Sequence, residues 1–479
     1  MIKTENFIKE KFTYIIAGIS VFAAILYIFL AFNAQIWYDE AYSMVIIRHS
    51  FLKVCKITSL DVHPPLYYLL IKVFEDFFKD NEILARVLSI VPCMLVIVFG
   101  ATNLKKLFNE KVAILFSLLY VIYPFLLKYS VEIRMYSWAE FFVFFSGISA
   151  YRCYVYNNKK DWLMYVLFVV CSAYTHYFAF VAAISVCTIL FFASVINKKE
   201  LLKRWFICSV LMFILYIPWL KLFLIQLLDM RASEYWIGPI TLDTIFDYIK
   251  TYFGTPAIKG YWIITLLLCT YLLIKLIKTA RKNIIYLSIC AVLVSIMTIG
   301  VGILASVIVR PVFIIRYSIP AVPFFVLFLA FAMQYVKKKY MIIILAINIF
   351  AYGATYCHLV ITKNGHFYPN IDAVDMVANR ENCDAYVCLL DRNTRTQVPG
   401  ILSYMEPQKT IYKTGYIVEP FSNTKSIDEF STNDNAFVIL LSDNTIEIPA
   451  KVLEHYSIMD KQRVKIDNFV LDEYKLKIK

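Results

Sequence analysis

Residues 14–41 read YIIAGISVFAAILYIFLAFNAQIWYDEA, an unbroken apolar run followed by a short loop and two adjacent acids. A membrane-spanning helix needs about 20 mostly apolar residues, so this run is long enough to cross a bilayer. Lys3, Lys9 and Lys11 precede it, and no small-residue cleavage site follows it. We therefore expect an uncleaved first transmembrane helix whose N-terminus is cytoplasmic.

The whole chain shares this apolar character. Of its 479 residues, 60% are hydrophobic and 17% are charged, and the mean hydropathy is +0.65, whereas soluble domains carry about a quarter charged residues. In a soluble protein the net charge of +13 would suggest a nucleic-acid partner. In a membrane protein Lys and Arg collect in cytoplasmic loops instead. We expect a polytopic membrane protein that binds no nucleic acid.

Further apolar runs of spanning or nearly spanning length predict about eleven transmembrane helices in total. The runs lie at residues 13–33, 84–104, 111–127, 134–156, 162–175, 177–196, 205–227, 261–279, 284–309, 320–336 and 340–361. Basic clusters fall in alternate connections, at Lys105/Lys106/Lys111, Arg152/Lys159/Lys160, Lys198/Lys199/Lys203/Arg204, Lys275/Lys278/Arg281/Lys282 and Lys337/Lys338/Lys339. With a cytoplasmic N-terminus, every cluster is cytoplasmic.

One further apolar segment, Leu66–Phe78, is left out of this count. It is short and contains Lys72, Glu75 and Asp76, so we expect an amphipathic helix lying flat on the outer membrane surface rather than a span. If it did cross the membrane, every later basic cluster would change sides.

The chain becomes polar after residue 361, which divides it into a transmembrane domain at 1–361, with a first outer loop at 33–83, and a second domain at 362–479. Strand-like runs occur at 385–390, 410–412, 436–441 and 468–476, with helical patterns at 371–378 and 450–455. These patterns predict a small extracytoplasmic α/β domain.

The first candidate site is the acidic pair Asp39 and Glu40, directly after the first helix. Carboxylates beside an apolar helix at a membrane surface suggest function. The alternative is a solvated pair that merely ends the helix. Their place at the head of a long outer loop, with aromatic residues on the near side, favours function.

A second candidate site is Asp61-Val62-His63-Pro64-Pro65. The prolines fix φ and favour a helix start directly after them, so Asp61 and His63 are expected on a stiff turn. The alternative is an ordinary proline helix entry with His63 on the surface.

Three more polar groups are predicted at outer helix ends. Glu132 and Arg134 form the first, for which a surface ion pair is the alternative. His176 is the second, and it either lines a cleft or caps a helix. Arg310, Arg316 and Tyr317 form the third.

Arginines on the outer side are unusual, because the positive-inside rule places most Lys and Arg in cytoplasmic loops. We therefore expect them to bind an anionic partner, such as a lipid phosphate. The alternative is contact with ordinary phospholipid headgroups. All five polar groups lie on one side of the predicted membrane, where together they would line a cleft for a lipid-phosphate substrate.

The sequence motifs of several enzyme classes are absent from the chain. The chain contains no GxxxxGK[ST] loop, no Rossmann glycine fingerprint, no HExxH and no GxSxG element. Nucleotide-driven chemistry and metal-dependent hydrolysis are therefore not expected. We predict no cofactor and no metal site.

The sequence resembles the glycosyltransferase C superfamily, and within it the bacterial branch of the dolichyl-phosphate-mannose protein mannosyltransferases, which is related to the lipid A aminoarabinose transferases. The resemblance runs from Trp37 to about Phe325. It rests on a WxDEA element, an HPPLYY stretch, a YSxExRxY turn, a THYF element and a late RY, which stand in this chain at 37–41, 63–68, 129–136, 175–178 and 316–317.

The resemblance implies a polyprenyl-phosphate-linked sugar donor and inverting transfer to a hydroxyl of a protein, lipid or glycan. It places the catalytic acid in the first outer loop, at Asp39, with Glu40 as the second acid of the same element. The arginines are then expected to hold the donor phosphate, Arg316 first, with Arg134 and Arg310 behind it. The remaining candidates are assigned to substrate binding: Asp61, His63, Glu132, His176 and Tyr317.

Two other functions stay open at this point. A transporter or flippase of lipid-linked saccharides would place polar groups at the membrane midplane, often in inverted repeats, whereas here the acids crowd one face. A membrane scaffold would give no reason for Asp39, Arg134 and Arg316 to converge.

Overall fold

In the computed structural model, every apolar run predicted to span the membrane is mostly helical. The first is α1 (Ile2–Asn33). Its apolar part, Lys9–Asn33, has 25 residues and reaches about 38 Å at 1.5 Å per residue, which exceeds the ~30 Å hydrocarbon core. The structure describes residues 2–78, 81–229, 237–363, 374–375, 385–390, 397–413, 420–430, 438–442, 448, 450–466 and 469–479.

The helices that follow α1 alternate short loop helices with long apolar ones. They are α2 (Tyr38–Ile46), α3 (Phe51–Leu60), α4 (Leu66–Phe78), α5 (Glu82–Leu107), α6 (Glu110–Val121), α7 (Pro124–Leu127), α8 (Tyr136–Tyr156), α9 (Lys159–Thr175), α10 (Tyr177–Asn197), α11 (Leu202–Asp229), α12 (Leu242–Phe253), α13 (Tyr261–Thr279), α14 (Lys282–Ile308), α15 (Val322–Met333) and α16 (Lys338–Ile361). Turns of 3₁₀ helix occur at Lys128–Ser130, Lys199–Leu201 and Ile315–Ala321. The amphipathic helix predicted at Leu66–Phe78 forms with those bounds, as α4.

Eight spans in the described part of the chain are long and apolar enough to cross a membrane, and a ninth results if the bent pair Glu110–Val121 and Pro124–Ser130 is one span. The pair bends by 59° directly before Pro124, whose ring removes a backbone donor. The polytopic helical fold is therefore confirmed. The predicted count of about eleven exceeds nine by α8 and α9, which form helices but are not among the spans; α9 has only 17 residues.

Asparagine side chains begin three of these helices. Oδ1 of Asn81, Asn109 and Asn158 accepts a backbone N–H of the first turn of α5, α6 and α9, at 3.1, 2.9 and 2.9 Å. An Asn in this position satisfies a donor that the helix itself leaves unpaired. The sequence thus fixes where each apolar run starts.

By packing, the chain divides into two units. The first contains Met1–Phe32, Thr58–Phe74 and Asn81–Ile361, and the second contains Asn33–Ile57, Glu75–Asp80 and Thr362–Lys479. The division at 361/362 that the sequence suggests stays a prediction about domains. Most of the first loop clusters with C-terminal residues.

The first unit is a bundle of membrane helices. In it α8 packs against α5, α9 and α10, and α15 packs against α6, α13 and α14. Every residue of α15 is buried, as expected of a helix that is apolar on all sides. The bundle therefore has α15 in its interior.

The second unit contains a six-stranded mixed sheet. Its strands are β1 (Ala385–Leu389), β2 (Thr410–Lys413), β3 (Thr424–Ser426), β4 (Val438–Ser442), β5 (Tyr456–Ile466) and β6 (Phe469–Ile478), in the order β3-β2-β1-β4-β6-β5. The first four strands pair in parallel, while β6 pairs antiparallel with β4 and β5. All of β1 is buried, which suits a parallel strand covered on both faces.

Two helices belong to this sheet region, α17 (Gln397–Met405) and α18 (Ala450–His455). The strand-containing C-terminal region predicted from the sequence is present, with β3 and β5 as additions. The helix predicted at 450–455 forms, whereas that at 371–378 lies mostly outside the described residues.

The edge hairpin of β5 and β6 buries a carboxylate. Arg463 donates from Nε and Nη2 to Oδ1 and Oδ2 of Asp472 at 2.8 and 3.1 Å, and Nζ of Lys461 lies 3.1 Å from Oδ2. These hydrogen bonds, with Arg463 contributing most, outweigh burial and lower the pKa of Asp472. The charged strand β5 is thus tied to its neighbour.

Candidate functional site

The first element of the site is the turn between α3 and α4. Nδ1 of His63 lies 3.2 Å from Oδ2 of Asp61, so the carboxylate accepts the Nδ1 proton and orients the ring. Burial acts to raise the pKa of Asp61, but its hydrogen bond to His63 and the charges of His63 and Arg134 hold that pKa below its ordinary value. The carbonyl of Pro65 accepts the backbone N–H of Leu69 in the first turn of α4 at 3.0 Å, so the helix start fixes this turn.

The second element is the turn before α8. Glu132 is fully buried and the side chain of Arg134 nearly so, which removes the alternative of a solvated surface pair. Nη1 of Arg134 donates to the hydroxyl of Tyr68 in α4 at 3.2 Å. Buried charges in membrane proteins are costly and usually functional.

An arginine outside the predicted site supports this turn. Arg86 of α5 is fully buried, and its Nη1 donates to the carbonyl of Val131 at 3.1 Å. Arg86 thus connects the start of α5 to the backbone next to Glu132.

The third element is His176, at the junction of α9 and α10. Its Nδ1 accepts the backbone N–H of Phe178 at 3.1 Å, so His176 does cap a helix. Its ring also lies 5.8 Å from the ring of His63, 5.9 Å from Tyr136 and 4.9 Å from Tyr317. The capping alternative drawn from the sequence is therefore realised, and the ring also packs among other candidate residues. That His176 lines a cleft stays a prediction.

The environment of His176 keeps the ring neutral. Burial lowers its pKa well below the ordinary value, and the positive charges of His63, Arg134 and Arg316 lower it further. Since Nδ1 accepts a hydrogen bond, the neutral ring carries its proton on Nε2.

The fourth element is the 3₁₀ turn Ile315–Ala321, which carries Arg316 and Tyr317. Tyr317 stacks on Phe178, with ring centroids 5.4 Å apart and planes at 19°. The irregular segment before this turn approaches α14 closely, since a Cβ on Gly302 would collide with the ring of Phe313. Arg316 acts electrostatically on both His176 and Tyr136.

These contacts bring four separate segments of the first unit together. We call the resulting group the buried cluster; its members are Asp61, His63, Tyr68, Glu132, Arg134, Tyr136, His176, Arg316 and Tyr317. It combines two guanidinium groups, two carboxylates and two imidazoles with tyrosine hydroxyls. Such a group can bind an anion and the hydroxyls of a sugar.

Arg310 takes no part in the contacts described above. It lies directly after α14, where its backbone N–H donates to the carbonyl of Ala305 at 3.4 Å, and its guanidinium nitrogens are buried. It precedes Arg316 by six residues in the same connection.

The acidic pair belongs to the second unit. Asp39 and Glu40 occupy the first turn of α2, rather than the end of α1, which stops at Asn33. Glu40 is fully buried, and its Oε2 accepts the backbone N–H of Trp37 at 3.4 Å. Asp39 is half-buried. Acids in the first turn are stabilised by the helix dipole, so α2 fixes both carboxylates.

No group of three or more His, Cys, Asp or Glu side chains within the described residues is arranged to hold a metal ion. The prediction of no metal site stays a prediction.

Sequence reasoning missed three residues of this region. Tyr68 and Tyr136 stood inside quoted elements, but nothing in the pattern singled out their hydroxyls. Arg86 carried a signal, because an arginine near the start of an apolar run is expensive unless it is paired.

Comparison with known proteins bears on this geometry. Residues 62–221 match a family model described as "Dolichyl-phosphate-mannose-protein mannosyltransferase", which covers less than half of the chain and includes Glu132, Arg134 and His176. No curated protein sequence matches the chain.

Two solved structures superpose along almost the whole length. They are crystal structures of ArnT from Cupriavidus metallidurans, one in the apo state with a TM-score of 0.65 and one bound to undecaprenyl phosphate with a TM-score of 0.63. Each is 11% identical to this chain, and each match covers 96% of this chain and 97% of the other. The chain has the glycosyltransferase C fold. At this identity the likeness concerns the fold alone, while the family match confirms the resemblance drawn from the sequence.

A first prediction concerns the acid stability of the protein. Unfolded His176 binds a proton below its ordinary pKa of about 6.5, whereas folded His176 does not. Stability is therefore lost as pH falls below that value, by up to about 1.4 kcal/mol per pH unit. His176→Asn keeps a capping acceptor and removes the titration, so the thermal midpoint in detergent should fall less between pH 7 and pH 5.

The control for this measurement is His358→Asn, in the last turn of α16. It should retain the wild-type dependence on pH. If the thermal midpoints of wild type and His176→Asn fell equally between pH 7 and pH 5, His176 would not be the group that causes the loss of stability in acid.

A second prediction concerns Arg86. Arg86→Met leaves the carbonyl of Val131 without this donor, which should lower stability by about 1–3 kcal/mol. Thermal unfolding in detergent measures the loss, with Arg281→Met at the exposed start of α14 as control. Equal midpoints for the two variants would show that Arg86 does not support the turn.

Proposed function

We propose that the chain is a membrane glycosyltransferase that takes a sugar from a polyprenyl-phosphate carrier and transfers it to an acceptor hydroxyl. The observation that carries the proposal is the buried cluster, in which Arg134, Arg316 and two histidines lie inside a membrane unit. The description of the matched family and the fold shared with an undecaprenyl-phosphate-bound protein support the donor class.

The donor phosphate is assigned to the arginines. Guanidinium groups bind phosphate oxygens through two parallel hydrogen bonds. Arg316 is the first choice, because its charge acts on both His176 and Tyr136 in the cluster. Arg134 and Arg310 stand behind it. The leaving group departs as an anion, so it needs positive charge rather than a general acid.

The acceptor proton is assigned to the acidic pair. Asp39 is the proposed general base, because it is half-buried, while Glu40 is fully buried and its carboxylate accepts the N–H of Trp37. Glu40 then acts by fixing the start of α2. A general base contributes about 10²–10⁴-fold to a rate.

The proposed step is a single displacement. The acceptor oxygen forms a bond to the anomeric carbon as its proton passes to Asp39, and the bond from that carbon to the phosphate oxygen breaks. Polyprenyl phosphate leaves with the electron pair. One displacement without a covalent intermediate inverts the anomeric centre.

The finer assignments follow from the sequence. We propose a mannose-like hexose or a related sugar as the transferred group and a protein, lipid or glycan as the acceptor. Binding of the substrate hydroxyls is assigned to Asp61, His63, Glu132, His176 and Tyr317. The distribution of Lys and Arg favours a cytoplasmic N-terminus and transfer on the outer face.

The test is incubation of the purified protein with a panel of radiolabelled polyprenyl-phosphate sugars and a cell-envelope acceptor extract. We expect protein-dependent release of polyprenyl phosphate together with a labelled acceptor of inverted configuration. Movement of intact donor across liposomes without cleavage would instead establish the transporter alternative.

A further inference from the structure

The helix that carries the acidic pair rests on a glycine of the second unit. A Cβ built on Gly400 of α17 would lie 2.6 and 2.7 Å from Cε2 and Cδ2 of Tyr38, and 3.0 Å from Cζ of Phe421. Real Cβ atoms essentially never approach ring carbons this closely. The ring of Tyr38 therefore occupies the space that the Cβ of any other residue at 400 would fill.

Phe421 extends this contact along α2. We call the surface formed by Gly400 and Phe421 the seat. Its ring centroid lies 6.0 Å from that of Tyr38 and 6.1 Å from that of Tyr42, the latter edge to face. Tyr38 and Tyr42 are one helical turn apart and so share a face of α2. The acids Asp39 and Glu40 lie between them in sequence.

The segment after α2 is held by backbone carbonyls of the same unit. Nη1 and Nη2 of Arg48 lie 3.4 and 3.5 Å from the carbonyl oxygen of Tyr404, and the guanidinium carbon lies 5.0 Å from the Tyr404 ring. Nε2 of His49 lies 3.3 Å from the carbonyl oxygen of Pro420. The carbonyl of Tyr404 is in the last turn of α17, where a cation is favoured.

A glycine inside a helix is normally unfavourable relative to alanine. Gly400 lies in the middle of α17, and its neighbours Ile401 and Leu402 are fully buried. The contact with Tyr38 supplies a reason for this choice of residue. An alanine here would stabilise the helix α17, but its Cβ would collide with the ring of Tyr38.

We propose that Gly400 is a positioning residue for sugar transfer, and that the C-terminal part of the chain sets the orientation of the acid-bearing helix α2 through the seat formed by Gly400 and Phe421. The inference rests on the proposed function, since it names what holds Asp39 for its role as base. Gly400 itself touches no substrate and acts through Tyr38.

The test compares Gly400→Ala with Gly353→Ala in α16, where an added Cβ meets nothing within 4 Å. Both exchange a helical glycine for alanine. We expect Gly400→Ala to speed amide hydrogen exchange in residues 38–46 by about 10-fold or more and to lower kcat by about 10- to 100-fold, with KM for the donor unchanged. Gly353→Ala should leave both quantities at wild-type values.

A double-mutant cycle separates the seat from a general loss of packing. With the ring removed in Tyr38→Ala, adding Gly400→Ala should have no further effect on exchange in α2 or on kcat. Additive effects of the two substitutions would overturn the proposal, because they would show that the alanine acts elsewhere.

The two readouts also distinguish this inference from the proposed function. If the wild type transfers no sugar, the proposed function fails, and hydrogen exchange still decides whether Gly400 seats α2. If the wild type is active and Gly400→Ala changes exchange but not kcat, the contact is structural and the positioning role is wrong.

Discussion

Replacing Asp39 with Asn is expected to reduce kcat for sugar transfer by about 10³-fold, the middle of the range for loss of a general base. The amide cannot take the acceptor proton, but it keeps the size of the side chain. Its effect on stability should be small, about 0.3–1 kcal/mol, which is the size of the interaction between one first-turn charge and the helix dipole. Rate and thermal midpoint are measured on the same preparation.

Glu40→Gln is the matched comparison. Its amide oxygen can still accept the N–H of Trp37, so the start of α2 is retained and the loss of kcat should be smaller than that for Asp39→Asn. A larger loss for Glu40→Gln would exchange the roles of the two acids. Full activity of Asp39→Asn would show that Asp39 is not the general base.

Replacing Arg316 with Gln is expected to lower kcat/KM for the donor by about 10²–10³-fold, because a buried charge-assisted contact to the phosphate is lost. Arg316→Lys keeps the charge but loses the two-pronged geometry, so it should recover only part of the rate. The measurement is initial rate against donor concentration, together with competition by polyprenyl phosphate alone.

Arg281→Gln serves as the control, since Arg281 is exposed at the start of α14 and lies in a cluster predicted to be cytoplasmic. It should behave as wild type. Wild-type inhibition by polyprenyl phosphate in Arg316→Gln would assign the phosphate to another group, with Arg134 and Arg310 next to be replaced.

The membrane helices were predictable because the bilayer imposes a local rule. A span must be apolar over some 20 residues and must satisfy its own backbone hydrogen bonds, so each run shows itself in the sequence. The same locality made α4 predictable, since prolines precede it and charges interrupt it. Only α8 and α9 were wrong in part: both form helices where spans were predicted, but neither is among the helices long and apolar enough to cross a membrane.

The buried cluster was predictable in part. Its charged members stood out against an apolar background, and sidedness grouped them. Their contacts were not predictable, because the approach of His176 to His63 depends on how four helices pack. The supporting role of Arg86 likewise depends on a carbonyl 45 residues away.

Two features of the second unit escaped prediction, for different reasons. Strand β5 carries Asp460, Lys461, Arg463 and Lys465 within its length, so it lacks apolar alternation; such charges are common on edge strands. The helix α2 joins the C-terminal residues through contacts that leave no local pattern. The sequence pattern therefore predicted residues 33–83 to be one outer loop of the transmembrane domain.

The bond from Arg48 to the carbonyl of Tyr404 joins residues 356 positions apart. A ribosome adds about 5–20 residues per second, so the segment after the first helix emerges about 20–70 s before its partner exists. During that interval the acid-bearing helix α2 lacks its contacts with Gly400 and Phe421. If these contacts orient Asp39 as proposed, sugar transfer cannot begin until the C-terminal residues have been made, and a chain that stops before α17 would be inactive.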